Sequence, residues 1–430
     1  MKILYVSQYY PPEIGAPAAR VSELARAWAA LGHEVSVLTG FPNHPDGKIP
    51  PEYRRYWRRL WMRDDCDGVR VYRTWLLPLP NRRSWERMLN YSSFCVSAVL
   101  RGIMMPRPDV LIATSPQLLV GVAGMVVAKV KRGPFVFEVR DLWPESLEAV
   151  GVSHRGSKLY RIIERIAATL YNHADFIVTV TPPLKKHLEE SWRIPSRRVA
   201  LVINGVDEKL MKPGAEHSEV TEEFGLDGRF VVSYVGTLGN AHGVETLLEC
   251  AGLLESAALD VRFLIVGAGA EREKLERLVR ERKLNNVQLV EPQPRARVPK
   301  ILAASQACVV LLKRSELFRT AIPTKMLEMM ACGRPVVLSA EGESAALLAR
   351  AGAGICVAPE DSRGLAEAIL LMRSDAALRE RCGRNGAAFA RRELTRSSTA
   401  ARYLEILEAL TRGEERTEPD EAGIADSSAA

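Results

Sequence analysis

Paired cysteines are missing from this sequence. Its seven cysteines (Cys66, Cys95, Cys250, Cys308, Cys332, Cys356 and Cys382) are odd in number, and none stands in a CxxC or cysteine–histidine spacing. Most lie in apolar runs such as ACVVLL, where cysteine behaves as a small hydrophobe. That excludes a disulfide framework and favours a reducing cytoplasm. Histidine is also scarce: seven residues, none at metal-ligand spacing, so no metal is expected. A signal-peptide core is lacking, because Lys2 precedes only the short run ILYV. One charge-free run exists, Val110 to Ala128. Its length approaches the roughly 20 residues that span a bilayer. Thr114-Ser-Pro-Gln divides it, however, into a β-branched strand and a helix starting at Pro116.

At 430 residues the chain is too long for one ordinary core, and two domains are expected. The segments KILYVSQYY, HEVSVLTG, DVLIATS, PFVFEVRD and ADFIVTVT read as strands separated by helices, among them VSELARAWAALG and one near Lys158–Asn172. Near-continuous apolar strands alternating with helices mean a parallel sheet covered on both faces. The alternation restarts with FVVSYVG, VRFLIVG, VQLVE, ACVVLL, PVVLSA and GICVA. The expected organisation is a doubly wound domain over 1–204, a turn-rich linker over 205–228 and a second doubly wound domain over 229–384. A helix over 385–412 then crosses back to the first domain, and the tail 413–430, nearly without apolar residues, is disordered. The fold class is α/β, with two facing Rossmann-like domains and the ligand site in the cleft at their strand ends.

The net charge of +7 is uneven: between Lys48 and Arg107 thirteen Lys and Arg stand against five Asp and Glu, interleaved with Tyr53, Tyr56, Trp57, Trp61, Trp75, Trp85 and Tyr91. A solvated surface with a few buried rings accounts for this. An anionic membrane surface or a phosphate-bearing acceptor accounts for it equally. No nucleic-acid recognition motif accompanies the charge, and no nucleic acid is expected.

The stretch RTAIPTKMLEMMACGRPVV reads as a short helix between Pro323 and Gly333, with Lys325 and Glu328 on one face. A surface ion pair fits poorly with Met326, Leu327, Met329 and Met330 around it. A diphosphate at the helix tip beside Thr324 and Lys325, with a ribose at Glu328, explains both charges. YVGTLGNAHGVETLLECA is a strand, a glycine-rich loop and a helix, an anion site in form, involving Gly236, Thr237, Gly239 and His242. The loop PPEIGAPAAR has the same form, with Gly15 permitting close ligand approach. VGAGAERE imitates a dinucleotide fingerprint with Glu291 as the ribose acid, but Arg272 occupies the third glycine position. Asp65-x-Asp67 in DDCD precedes Gly68 and reads as a turn rather than a metal site.

PTKMLEMMACGRPVV, VGTLGNAHGVETLLE, LIVGAGAEREKLE, INGVD, VRDLWPES and the N-terminal YPPEIGAPAARVSELARAWAALGHEVSVLT together resemble the retaining GT-B glycosyltransferases of family 4. The likeness extends over about residues 1–410 and is closer to the bacterial surface-polysaccharide branch with L-fucosamine-type transferases. It implies a UDP-sugar donor on the C-terminal domain, an acceptor on the N-terminal domain, and neither metal nor other cofactor. Glu328 matches the second glutamate of the family's E-x7-E element, which binds the donor ribose; Thr320 stands where the first is expected. Thr237 and His242 stand where members often place Arg and Lys for the diphosphate, leaving Lys325, Arg319 and backbone amides to replace them. Pro292, Gln293 and Arg295 fall in the nucleotide-base region. Arg140 or Asp141 occupies the place of the family's active-site histidine, and these two are the catalytic candidates.

The implied protein is a metal-independent hexosyltransferase at the inner face of the cytoplasmic membrane, docked through 48–107. It moves an N-acetylated deoxyhexose onto a polyprenyl-diphosphate-linked sugar in surface-polysaccharide synthesis. A UDP-sugar 2-epimerase and a non-catalytic UDP-sugar-binding subunit are the alternatives. A nicotinamide or flavin enzyme rests only on the incomplete fingerprint.

Overall fold

A computed structural model describes residues 1–13, 15–44, 46–80, 83–145, 154 and 156–414. The expected disordered tail therefore lies, from residue 415 on, outside the described residues. The chain divides into two compact units, one formed by Met1–Ile203 with the chain from Thr399 onward, the other by Asn204–Ser398.

The first unit is built on an eight-stranded sheet in the order β3-β4-β2-β1-β5-β6-β7-β8. Its strands are β1 Lys2–Val6, β2 Glu34–Gly40, β3 Trp61–Cys66, β4 Val69–Thr74, β5 Val110–Thr114, β6 Phe135–Val139, β7 Phe176–Thr179 and β8 Val199–Leu201. All pairings are parallel except β3 with β4. Residues of β1, β5, β6 and β7 are almost all buried on both faces, as their unbroken apolar runs require. The split run at Val110 to Ala128 is β5 followed by a helix, Leu118–Lys131, which begins two residues after Pro116. No described helix is long and apolar enough to cross a membrane.

The Asp-rich stretch is only partly a turn. Asp64, Asp65 and Cys66 belong to β3, and Asp67-Gly68 alone makes the two-residue hairpin, both at positive φ (52° and 79°). Asp65 pairs with Arg63 at 3.1 Å and Asp67 with Arg26 at 3.3 Å, and no metal-holding group of side chains exists among the described residues.

The second unit carries a six-stranded parallel sheet, β11-β10-β9-β12-β13-β14. Its strands are β9 Phe230–Val235, β10 Val261–Val266, β11 Val287–Val290, β12 Ala307–Leu311, β13 Val336–Ser339 and β14 Gly354–Val357. Two expected boundaries are corrected here. The segment 205–228 is no free linker: it contains the helix Ser218–Glu223, and Val220 and Leu226 are buried with Val231, Leu264, Val266 and Ile301. The expected single terminal helix is two helices, Ala376–Glu393 and Arg396–Arg412. Between them the backbone turns to a distant partner: Val206 N–H donates to the Leu394 carbonyl at 2.7 Å and Arg396 N–H to the Val206 carbonyl at 3.0 Å. The last helix returns to the first unit's core, where Tyr403, Ile406 and Leu407 are buried and Trp28 Nε1 donates to the Ala400 carbonyl at 2.9 Å.

Candidate functional site

In the second sheet the chain order reverses between β9 and β12, the place where open parallel sheets bind ligands beyond their C-terminal strand ends. The loops and helix there carry most of the expected donor residues. The helix is Thr324–Ala331, with Pro323 before it and no side chain capping its first N–H groups. Lys325 and Glu328 share its face but turn to different partners. Lys325 Nζ donates to the Tyr234 hydroxyl at 2.7 Å and stands 4.3 Å from the centre of that ring. Glu328 is buried and accepts from Arg295 Nη2 at 2.5 Å. Burial pulls the Lys325 ammonium down to about 7, with Glu328 opposing the shift. The ring face of Tyr234 is a further anchor for the charged form.

The glycines of this region answer to close packing. A Cβ on Gly236 would lie 3.1 Å from Lys325 Nζ. One on Gly267 would lie 1.9 Å from the Gly236 carbonyl, and one on Gly269 2.3 Å from the Leu238 carbonyl. Leu238 N–H donates to the Ala268 carbonyl at 2.8 Å, so the loops after β9 and β10 are bonded side by side. This disposes of the dinucleotide fingerprint. Its glycines admit a neighbouring loop, and Arg272 ties back to the Gly267 and Val290 carbonyls and to Glu291 at 2.9 Å.

Thr237 is exposed, and its carbonyl accepts from the Tyr234 hydroxyl at 2.7 Å. His242 is half-buried; burial, with Lys325 beside it, pushes its imidazole down to about 4. It is neutral at ordinary pH and supplies no charge for a diphosphate. Arg319 is exposed and paired with Glu316 at 3.3 Å, while Thr320 is half-buried in the following turn. A Cβ on Gly342 would meet the Arg319 carbonyl at 2.1 Å. Pro292 is exposed, and Gln293 accepts from Arg297 Nη1 at 2.8 Å. The sequence reading missed three participants. Tyr234 supports Lys325, and Lys313 Nζ donates to Asn240 Oδ1 at 2.5 Å, fixing the glycine loop. A tyrosine and a lysine at the ends of β9 and β12 were visible in the sequence, but only their spatial adjacency gives them meaning.

In the first unit the order reverses between β1 and β5. Beneath that point lies a buried polar cluster. Glu138 accepts from Tyr5 Oη at 2.8 Å, Arg20 Nε at 2.9 Å and Thr114 Oγ1 at 3.2 Å. Burial opposes its charge, but Arg20 and Arg140 outweigh it and hold the carboxyl below its usual range. Arg140 N–H donates to Ser115 Oγ at 2.7 Å, and its Nε and Nη1 are buried without a hydrogen-bond partner among the described residues. Asp141 is exposed by surface area, yet desolvation pushes its carboxyl up while Arg140 opposes it.

Gly15 lines a pocket of about 340 Å³ in this unit, at the start of the helix Ala16–Ala30. Residues 15–205 match the family described as "Glycosyl transferase 4-like domain", and residues 218–389 match "Glycosyl transferases group 1". The chain is a family 4-like glycosyltransferase. Its two Rossmann-like domains are those of the GT-B fold, as its structural neighbours show.

Among its relatives is a candidate colanic acid biosynthesis glycosyl transferase, WcaI of Escherichia coli, 25% identical over 394 residues, covering 88% of this chain and 95% of that protein. A sucrose-phosphate synthase from Thermosynechococcus elongatus superposes with a TM-score of 0.75 at 20% identity, over 96% of this chain and 99% of the other. The Anabaena protein Alr3699/HepE, solved in complex with UDP-glucose, gives a TM-score of 0.70 at 17% identity, over 95% and 100% of the two chains. At such identities the structural likeness establishes the fold and leaves the substrates of this glycosyltransferase to its own residues.

Proposed function

We propose that the protein transfers an N-acetylated deoxyhexose from a UDP-sugar to a lipid-linked oligosaccharide in surface-polysaccharide synthesis, with retention of anomeric configuration and without a metal. The carrying observation is Lys325, half-buried against Tyr234 beside the Gly236 loop, one turn of helix before Glu328 at the sheet's reversal point. This suits a diphosphate at Lys325 and a ribose at Glu328. The surface-polysaccharide assignment draws on WcaI, and the UDP assignment on the nucleotide in the Alr3699/HepE complex.

In this reading the acceptor hydroxyl oxygen bonds to the anomeric carbon on the face from which UDP leaves. The carbon–oxygen bond to the diphosphate breaks with its electron pair, and the hydroxyl proton passes to a phosphate oxygen of the departing UDP. Lys325, the helix N-terminus and the loop amides stabilise the charge growing on that leaving group, with Arg319 a second cation for it. Thr324, Thr320, Thr237, Gly239 and His242 line the sugar and phosphate side as neutral groups. Pro292, Gln293 and Arg295 serve the base. Arg140 and Asp141 remain the catalytic candidates of the first unit. The purified protein, offered UDP-N-acetyl-deoxyhexoses with a polyprenyl-diphosphate-sugar acceptor, is expected to release UDP and extend the acceptor. Conversion of the donor without acceptor, or tight UDP binding without transfer across the panel, would overturn this.

Membrane docking belongs to the same proposal. In the helix Ser84–Met104, Asn90, Phe94, Ala98 and Gly102 face inward, while Trp85, Met88, Leu89, Val96, Leu100 and Ile103 are exposed along the opposite side. Part of the aromatic content of 48–107 is structural. Trp57 stacks on Trp75, Tyr53 lies under Arg73, and Arg101 covers Trp61 at 4.1 Å. The apolar stripe, in a segment with thirteen basic residues, fits the interface of an anionic bilayer. Vesicles containing phosphatidylglycerol are expected to bind the protein less as salt rises from 0.05 to about 0.5 M. Changing Trp85, Leu89 and Leu100 together to glutamate should weaken binding at least about tenfold. Binding that ignores both salt and these substitutions would refute the docking face.

A further inference from the structure

Tyr234 stands one residue before the end of β9 and is fully buried, in the same core as Leu238, Val244 and Leu247. Apolar packing accounts for its ring but not for its hydroxyl. That hydroxyl makes two hydrogen bonds of opposite sense. It donates to the Thr237 carbonyl at 2.7 Å and accepts from Lys325 Nζ, ninety-one residues away in the chain, also at 2.7 Å. Burial pushes the phenol up, so its proton stays in place for Thr237 at ordinary pH.

The first bond sets the loop. The peptide between Thr237 and Leu238 is held at both ends, its carbonyl by Tyr234 and its N–H by the Ala268 carbonyl at 2.8 Å. Gly236 N–H is likewise tied to the Val266 carbonyl at 2.9 Å. The alternate amides, Thr237 N–H and Gly239 N–H, have no hydrogen-bond acceptor among the described residues. Tied and untied amides thus alternate, and the untied ones stand as donors for an anion on a backbone already fixed.

The second bond sets the cation. Among the described residues the phenol oxygen is the acceptor bonded to Lys325 Nζ, which also lies 4.3 Å from the ring centre. A Cβ on Gly236 would stand 3.1 Å from Nζ, so the ammonium is lodged between the ring and the loop. The charged neighbours are otherwise engaged. Glu328, on the same helix, holds Arg295; Lys313, after β12, holds Asn240; Arg319 holds Glu316. His242, in the glycine loop, has its ring 6.4 Å from that of Tyr234 and is neutral.

We propose that Tyr234 is a positioning residue for transfer, whose single hydroxyl fixes the Thr237 loop amides and the Lys325 ammonium as one anion-binding unit. The inference rests on the transferase reading and deepens it by naming the residue that joins the loop half of the diphosphate site to the helix half. An acceptor on an ammonium favours its charged form, against the burial that pulls Lys325 down to about 7. Without the hydroxyl, Lys325 loses its proton at lower pH and the loop loses one of its ties.

Tyr234→Phe in the full chain tests this, because it keeps the ring, the packing and the cation–π contact and removes only the hydroxyl. Isothermal titration with UDP should show affinity about tenfold or more below the parent at pH 8, the scale for losing a hydrogen bond to a charged group. At pH 6, where Lys325 is charged in both proteins, the loss should shrink to about threefold at most. In a Lys325→Met background the same substitution should cost about threefold at most at either pH. Hydrogen exchange over 236–240 should quicken in Tyr234→Phe. A loss equal at both pH values, or one that persists in full without Lys325, would refute the link to the ammonium. Unchanged exchange would remove the link to the loop, and parental affinity throughout would refute both. Failure of the parent protein to bind UDP would instead sink the donor assignment on which the proposal rests.

Discussion

Glu328→Ala is expected to lower kcat/KM for transfer about 10³-fold, the equivalent of about 4 kcal/mol. A buried carboxylate that accepts from two ribose hydroxyls loses two charge-assisted hydrogen bonds at roughly 1.5–3 kcal/mol each. Its present partner separates this role from a structural one. Arg295 is exposed, so the carboxylate holds a cation that can turn to water when Glu328 is removed. Arg295→Ala keeps the carboxylate and should cost less than about tenfold. Were Glu328 only an anchor for Arg295, the two variants would behave alike. Steady-state kinetics with matched isothermal titration of UDP distinguish the outcomes, and near-parental transfer by the Glu328 variant would remove the ribose assignment.

Lys325→Met is expected to reduce transfer by about 10²–10³-fold, the range for losing one fixed charge-stabilising donor. The wild-type protein carries a pH signature as well. With burial holding the free ammonium near pH 7, most of the population is neutral at pH 8. A bound diphosphate favours the charged form, so UDP binding at pH 8 should take up a substantial fraction of one proton. UDP affinity should fall as pH rises through and above 7. Titration in buffers of different ionisation enthalpy measures the uptake. Lys325→Met should abolish it, and proton uptake unchanged in that variant would assign the effect to another group. His242, held down to about 4, needs a far larger shift than Lys325 to take up a proton at pH 8 and is the weaker source.

Much of the second unit's candidate site was legible because its signals are local. Pro323 and Gly333 bracket the helix, the strands of both sheets are apolar runs, and the glycine loop follows β9 directly. The first unit's pocket was largely illegible. Glu13 stands in an ordinary turn-like PPEIG segment; its bonds to Asn43 and His44 come from a loop thirty residues away, and its other oxygen has no hydrogen-bond partner among the described residues. The helix Ser84–Met104 was passed over because its sequence is apolar on two sides, and only packing shows which side meets the core.

The sequence by itself determined the two parallel sheets, the helix that carries Lys325 and Glu328, and the neutral residues where family members place cations. These follow from hydrophobic period, turn chemistry and residue identity, all carried by neighbours in the chain. The tertiary structure alone decided that Lys325 faces Tyr234 rather than Glu328, that Gly267 and Gly269 admit the Gly236 loop rather than a dinucleotide, and that the last helix breaks at Leu394. Each depends on a hydrogen bond or close approach between residues far apart in sequence, and local propensity carries no record of such partners.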